Sequence, residues 1–186
     1  VRDRLPPRQP VDPTHFALFP GSREQERERL LRLFLEVSER VRAEVAHARF
    51  SLVSPAGVDV GPLPAHVHAV DDISAVADAR AALTKSGTVT LELAVMGIPM
   101  VVAHKVHPVT HWIGRRVVTG VKHIALPNIL AGAEVVPEFI QRLDAQELAD
   151  ALLSLPTHQP VDLSAIGESG ASARAAAAVA EHWRAP

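Results

Sequence analysis

The segment "AALTKSGTVTLELAVMGIPMVVAH", residues 81–104, constrains the fold more than any other part of the chain. An apolar run stops at Lys85-Ser86-Gly87, a helical stretch follows over 88–96, and a second apolar run begins after Pro99. Gly97 is placed to end the helix in a left-handed conformation, and Pro99 to open the next strand. Strand, helix and strand in this order predict two parallel neighbours joined by a crossover, since a short turn cannot return the chain to the same end of a sheet.

The alternation recurs along the chain. "HFALF", 15–19, is a short apolar run stopped by Pro20-Gly21. A helix then runs from Ser22 to about Ala46, with Leu30, Phe34, Val37, Val41 and Val45 spaced at three and four residues and Ser22 with Gln25 as a capping box. "RFSLVS", 49–54, and "HVHAVD", 66–71, predict strands, with a brief helix near 73–79. Pro108 opens a helix over about 108–118, and "HIALP", 123–127, predicts a further strand. Asp144 with Glu147 caps a helix over 145–155, and the Ala-rich tail after Ser172 predicts a last one. The expected fold class is α/β, with three layers built on a mostly parallel sheet covered on both faces.

At 186 residues and 47% hydrophobic, the chain can bury one core. Residues 1–14 read as a linker or truncated start, 15–155 as the domain and 156–186 as a helical tail. The Pro- and Arg-rich opening "VRDRLPPRQPVDPTH" has no hydrophobic segment of the signal-peptide kind, and the expectation is a second half of something longer. A net charge of −2 offers no broad positive field, so nucleic acid is not an expected partner and anion binding must be local. Without cysteine there is no disulfide or thiolate chemistry. The apolar runs fall short of the roughly 18–20 residues that cross a bilayer.

In a parallel sheet, ligands sit beyond the carboxyl ends of the strands. "FPGSREQE", 19–26, puts a Gly turn and a helix start there, whose free amides attract anions. Arg23 in that first turn meets the positive end of the helix dipole at a cost of a few tenths of a kcal/mol, which a bound anion would offset, or is an ordinary solvated residue of a charge-rich helix start. The segment is no P-loop, because the Gly-Lys-Ser/Thr element is missing. "KSGTVTLE", 85–92, repeats the logic. Gly87 lets the backbone approach a ligand, Ser86 and Thr88 carry hydroxyls, and Glu92 lies on the Thr88 side of the helix, where a carboxylate suits a sugar's hydroxyl pair. Thr88 as a simple cap and Glu92 as a solvated residue remain open.

"HKVHPVTHWIGRR", 104–116, gathers Lys105, His107, His111, Arg115 and Arg116 around Trp112 and Ile113, a setting for diphosphate or an anionic lipid surface or simply a solvated basic face. Its histidine pair lacks the acidic neighbour and third ligand of a zinc motif, so no metal is expected. "LPNILAGAEVVPEFIQ", 126–141, places Asn128 to read an amide or hydroxyl edge or to close a turn, with Glu134 and Glu138 beyond. No Ser/His/Asp arrangement or close carboxylate pair stands out in the sequence, which disfavours a hydrolase.

Taken together and in order, "LFPGSREQE", "TKSGTVTLELAVMGIPMVVAHKVHPVTHWIGRR" and "HIALPNILAGAEVVPEFIQ" resemble the lipid-A-disaccharide synthase family over about residues 15–155. The resemblance implies a Rossmann-like domain like the C-terminal, donor-binding half of a two-domain GT-B glycosyltransferase. It implies that Gly21, Ser22 and Arg23 line the donor side of the cleft, that Ser86, Gly87 and Thr88 cradle the diphosphate, and that Glu92 lies near the ribose. Asn128, the turn Leu130-Ala131-Gly132 and Glu134 would complete the donor pocket, with Lys105, His107 and Arg115 as its basic neighbourhood. Two departures stand out. The stretch 50–66 is shorter than in the family, and His104 and His111 replace what is more often an aromatic residue.

The implied reaction is inverting transfer of 2,3-diacylglucosamine from UDP to 2,3-diacylglucosamine 1-phosphate, with Arg23 as the catalytic candidate and no cofactor or metal. The acylated acceptor would bind through an N-terminal half that this sequence does not include. A homodimer, transient contact with the membrane through Trp112 and Arg115-Arg116, and a cytoplasmic location peripheral to the inner membrane complete the expectation. Competing readings are a nucleotide-sugar-binding domain inactive alone and a UDP-sugar epimerase, against which the "NILAG" turn favours the transferase.

Overall fold

The computed structural model describes residues 5–105, 123–159, 161–162, 164 and 170–183, without the side chains of residues 25 and 26. Six strands, β1 (Asp12–Phe19), β2 (Arg49–Val53), β3 (Val67–Val70), β4 (Ala79–Lys85), β5 (Met100–His104) and β6 (Glu138–Ile140), form one sheet in the order β3-β2-β1-β4-β5-β6. Every pairing is parallel. This is the doubly wound Rossmann order, in which the direction of winding reverses between β1 and β4.

The helices are α1 (Glu24–Glu44), α2 (Val89–Met96), α3 (Leu126–Ala131), α4 (Ala145–Ser154) and α5 (Ala171–Trp183), with a 3₁₀ turn at Ile73–Val76. On one face of the sheet α1 and α4 pack against each other, and Leu30, Phe34, Val37 and Val41 of α1 meet Phe16, Leu18, Phe50, Leu52 and Leu83. On the other face Leu93 and Met96 of α2 cover Ala17, Ala82, Met100 and Val102. The strands were legible as unbroken apolar runs because both of their faces are buried. Gly97 ends α2 at φ 69°, in the left-handed conformation expected of it. A Cβ there would also stand 3.3 Å from the His158 ring.

Two expectations are corrected. "HIALP" is not a strand: His123 and Ile124 are irregular, and Pro127 lies in the first turn of α3, where its missing N–H costs no helix bond. Helix α1 starts one residue later than a Ser22 cap requires, with Arg23 in extended conformation at the N-cap and no side chain capping it; the Gln25 side chain lies outside the described residues. β6 was not foreseen. The helix expected over 108–118 lies outside the described residues.

The opening segment is tied to the sheet. Arg8 donates to the carbonyls of Ala77 and Ala79 at 3.0 and 2.6 Å, and β1 starts three residues before the expected run. Beside it stands a trio that the sequence did not reveal. His15 Nδ1 lies 2.6 Å from Asp78 and its Nε2 lies 2.8 Å from the Ser51 hydroxyl. The carboxylate only accepts, so Nδ1 carries the proton, and Ser51 donates to Nε2 of a neutral ring. His15 is fully buried and Ser51 nearly so, in the middle of β1 and β2, and Asp78 immediately precedes β4. The trio therefore staples β1 and β2 to the start of β4.

Burial holds the His15 imidazole below its ordinary 6.5, the Asp78 hydrogen bond only partly opposing it, and burial does the same to His66. Hydrogen bonds from the Thr14 amide and hydroxyl, with Arg49 adding to them, hold the Asp12 carboxyl at about 2. In each case the unfolded chain binds a proton that the folded one refuses, so stability is lost as pH falls. The urea midpoint is expected to hold above pH 6.5, to decline below it, and to decline again below 3.8 as Asp12 approaches its folded value. His15→Asn should shrink the first decline to the part that His66 contributes and leave the fall below 3.8 that Asp12 causes.

Candidate functional site

The carboxyl ends of β1, β2, β3 and β4 open on one cavity of about 470 Å³ at the point where the winding reverses. Such a point leaves a crevice, because the loops after β1 and β4 depart to opposite faces of the sheet. After β1 the chain turns at Gly21, whose φ of 113° excludes side chains from that position without strain. Gly21 and Ser22 line the cavity; Arg23, the exposed N-cap of α1, follows them in sequence but does not line it. The first helical bond of α1 runs from the Arg27 amide to the Arg23 carbonyl, so the amides before it face off the helix start.

After β4 the turn Ser86-Gly87-Thr88 leads into α2, and all three residues line the same cavity with Glu92. The Gly87 carbonyl takes the Thr90 amide at 3.1 Å and the Thr90 hydroxyl at 2.7 Å, which closes the helix start tightly. Thr88 makes no capping bond with its side chain, and Gly87 leaves open space where a side chain would stand. Ser86 behaves differently from expectation: its hydroxyl donates to the Ile124 carbonyl at 2.8 Å. That proton is committed to a neighbouring loop rather than offered to a ligand.

Sequence reading missed the far wall. Val53, Ser54 and Pro55 after β2 and Asp71 and Ile73 after β3 line the cavity, as does Lys85. The Ser54 side chain is buried and its oxygen has no hydrogen-bond partner among the described residues. Its place directly after a strand was the available signal, since the loops after β1, β2, β3 and β4 all border the crevice.

The 126–141 segment is arranged otherwise than expected. Asn128 is fully buried in α3, and its four hydrogen-bonding positions are all taken. Its amide nitrogen donates to the Val136 carbonyl and to Glu138, and its oxygen accepts the Val135 and Val136 amides at 2.7 and 2.8 Å. Asn128 thus has nothing left with which to read a ligand edge; it folds the loop. Leu130, Ala131, Gly132 and Glu134 are exposed and do not line this cavity, nor does Lys105, exposed after β5. His107 and Arg115 lie outside the described residues. Among the described residues no three His, Asp or Glu side chains gather to hold a metal ion, and no helix is long and apolar enough to cross a membrane.

Two helix starts and a glycine-lined opening therefore face one crevice, with a cation at Lys85, carboxylates at Asp71 and Glu92 and an apolar wall of Phe19, Val53 and Ile73. Amide donors of this kind hold an anion, and carboxylates hold hydroxyls.

Comparison with known proteins fits this geometry. Residues 7–159 match the model of the lipid-A-disaccharide synthetase family. The lipid-A-disaccharide synthase of Gluconobacter oxydans is 40% identical over 153 residues, covering 76% of this chain and 35% of that protein. That of Nitrosococcus oceani is 40% identical over 134 residues, 67% of this chain and 34% of that protein. The chain thus spans about a third of the length of these relatives. The glycosyltransferase SnogD from Streptomyces nogalater overlaps 83% of this chain and 37% of its own, at a TM-score of 0.48 and 24% identity, too partial a match to add to the case. A family match that runs across all six strands, with relatives at this level of identity, means that the chain belongs to the lipid-A-disaccharide synthase family.

Proposed function

We propose that this chain is the donor-binding half of an inverting glycosyltransferase that moves 2,3-diacylglucosamine from UDP to 2,3-diacylglucosamine 1-phosphate. The observation that carries the proposal is the single cavity joining Gly21 and Ser22 to Ser86, Gly87, Thr88 and Glu92 at the reversal point of the sheet. UDP leaves as an anion, so catalysis needs positive groups that act more strongly as charge builds on the leaving oxygen. The amides at the starts of α1 and α2 and the Lys85 ammonium stand at this edge, and the Arg23 guanidinium follows Ser22 of the cavity lining. Glu92 suits the ribose hydroxyls. The acceptor would approach from the part of the relatives' length that this chain does not span, and lipid substrates would place the reaction at the cytoplasmic face of the inner membrane.

Calorimetric titration of the chain with UDP, without metal, tests the site. Arg23→Ala is expected to weaken binding at least about tenfold, as loss of a charged hydrogen bond does. Glu24→Ala should change it by less than about twofold, since surface groups off the ligand contribute little. Equal losses, or UDP density away from residues 21–23 and 86–88 in a soaked crystal, would remove the proposal. Turnover is read separately, by supplying UDP-diacylglucosamine and the acceptor to the chain alone and with the complementary half of a full-length relative.

A further inference from the structure

We propose that Glu138 is a positioning residue for the Ser86–Thr88 turn, acting on it through one peptide group; this rests on the nucleotide reading of the cavity. The Glu138 side chain is 5% exposed and lies outside the cavity lining. Its Oε2 accepts the Ile124 amide at 3.0 Å, and its Oε1 accepts the Ala125 amide at 3.0 Å together with one N–H of Asn128. The Ala125 N–H and the Ile124 C=O belong to the same peptide unit. In a trans peptide these two groups point in opposite directions, so fixing one fixes the other.

Glu138 holds the N–H side of that unit, and the Ser86 hydroxyl donates to its C=O side. The result is a linear relay from a buried carboxylate, through one polarised peptide, to the residue that opens the turn. A charged acceptor strengthens the amide bond, and the polarised carbonyl is in turn a stronger acceptor for Ser86. Asn128 keeps Glu138 in register by bonding it while gripping Val135 and Val136 on the way into β6. The turn therefore stands ready before ligand arrives, with the Thr88 hydroxyl and the Gly87–Val89 amides left for the anion.

The test is a cycle of E138Q, S86A and the double variant. A glutamine has one acceptor oxygen and one NH₂, so E138Q sets a donor against at least one of the donors that the carboxylate receives. Each single variant is expected to weaken UDP about fivefold, and the double variant to lose no more than either, because linked residues do not add. E138D, which keeps both acceptor oxygens, should recover part of the loss. Losses that multiply in the double variant would overturn the relay. Without ligand, amide hydrogen exchange at Thr90, whose N–H the Gly87 carbonyl accepts, should speed up alike in E138Q and S86A; unchanged exchange in E138Q also overturns it. A wild-type chain that binds no UDP while both variants speed exchange would instead sink the nucleotide reading and leave the relay standing.

Discussion

Asn128→Asp is expected to lower the unfolding free energy by about 3–5 kcal/mol, the range for leaving a buried charge without a partner. The substitution is nearly isosteric, so packing does not cause the loss. The two N–H groups that Asn128 gives to the Val136 carbonyl and to Glu138 vanish, and a carboxylate takes their place against two acceptors. Like charges at that spacing raise the pKa of one member. The damage should therefore shrink as pH falls into the range where the pair shares a proton, since one carboxyl can then donate to the other. Urea denaturation of both chains at pH 7.5 and at pH 5 checks this; a defect that is the same at both would show that Glu138 is not its cause.

Gly87→Val has the opposite profile. It is expected to reduce UDP affinity about a hundredfold while shifting stability by less than about 0.5 kcal/mol, as surface substitutions do. The folded chain does not require glycine at this position. Its φ is not in the left-handed region, and a Cβ would meet nothing within 4 Å. A side chain would instead fill the mouth of the cavity that residues 86–88 line. Gly21 and Gly97 differ, since their backbones need the freedom that glycine gives. Thermal denaturation alongside calorimetric titration separates the two effects, and binding that survives the valine would mean the anion does not approach this turn.

The fold was largely legible because a parallel sheet writes itself as unbroken apolar strands with helices between, and β1, β2, β4 and β5 all have that form. β6 has only three residues, Glu138–Ile140, too few for any periodicity, and it is a strand because β5 offers it an edge. "HIALP" misled because its composition suits a strand, yet Pro127 just inside α3 and Gly132 just past it were the marks of a helix. The site was legible where glycine turns follow strands, at Gly21 and at Ser86–Thr88. It was not legible where a side chain's partners are distant. Ser86 spends its proton on Ile124, Asn128 spends its bonds on the approach to β6, and His15 finds Ser51 and Asp78 on other strands. No local pattern announces such partners, since tertiary packing alone brings them into reach.

The sheet's strand order also governs how the chain can be made. β1 lies between β2 and β4, and Phe16 pairs with Ala81 while Arg8 reaches Ala77 across 69 positions. During synthesis the first strand must wait, one edge bare, until the fourth has left the ribosome. Contacts this far apart in sequence form slowly, and a bare apolar edge is prone to association in the meantime. Translation that stalls before residue 85 would hold the nascent chain with that edge of β1 uncovered, a state that a chaperone could shield.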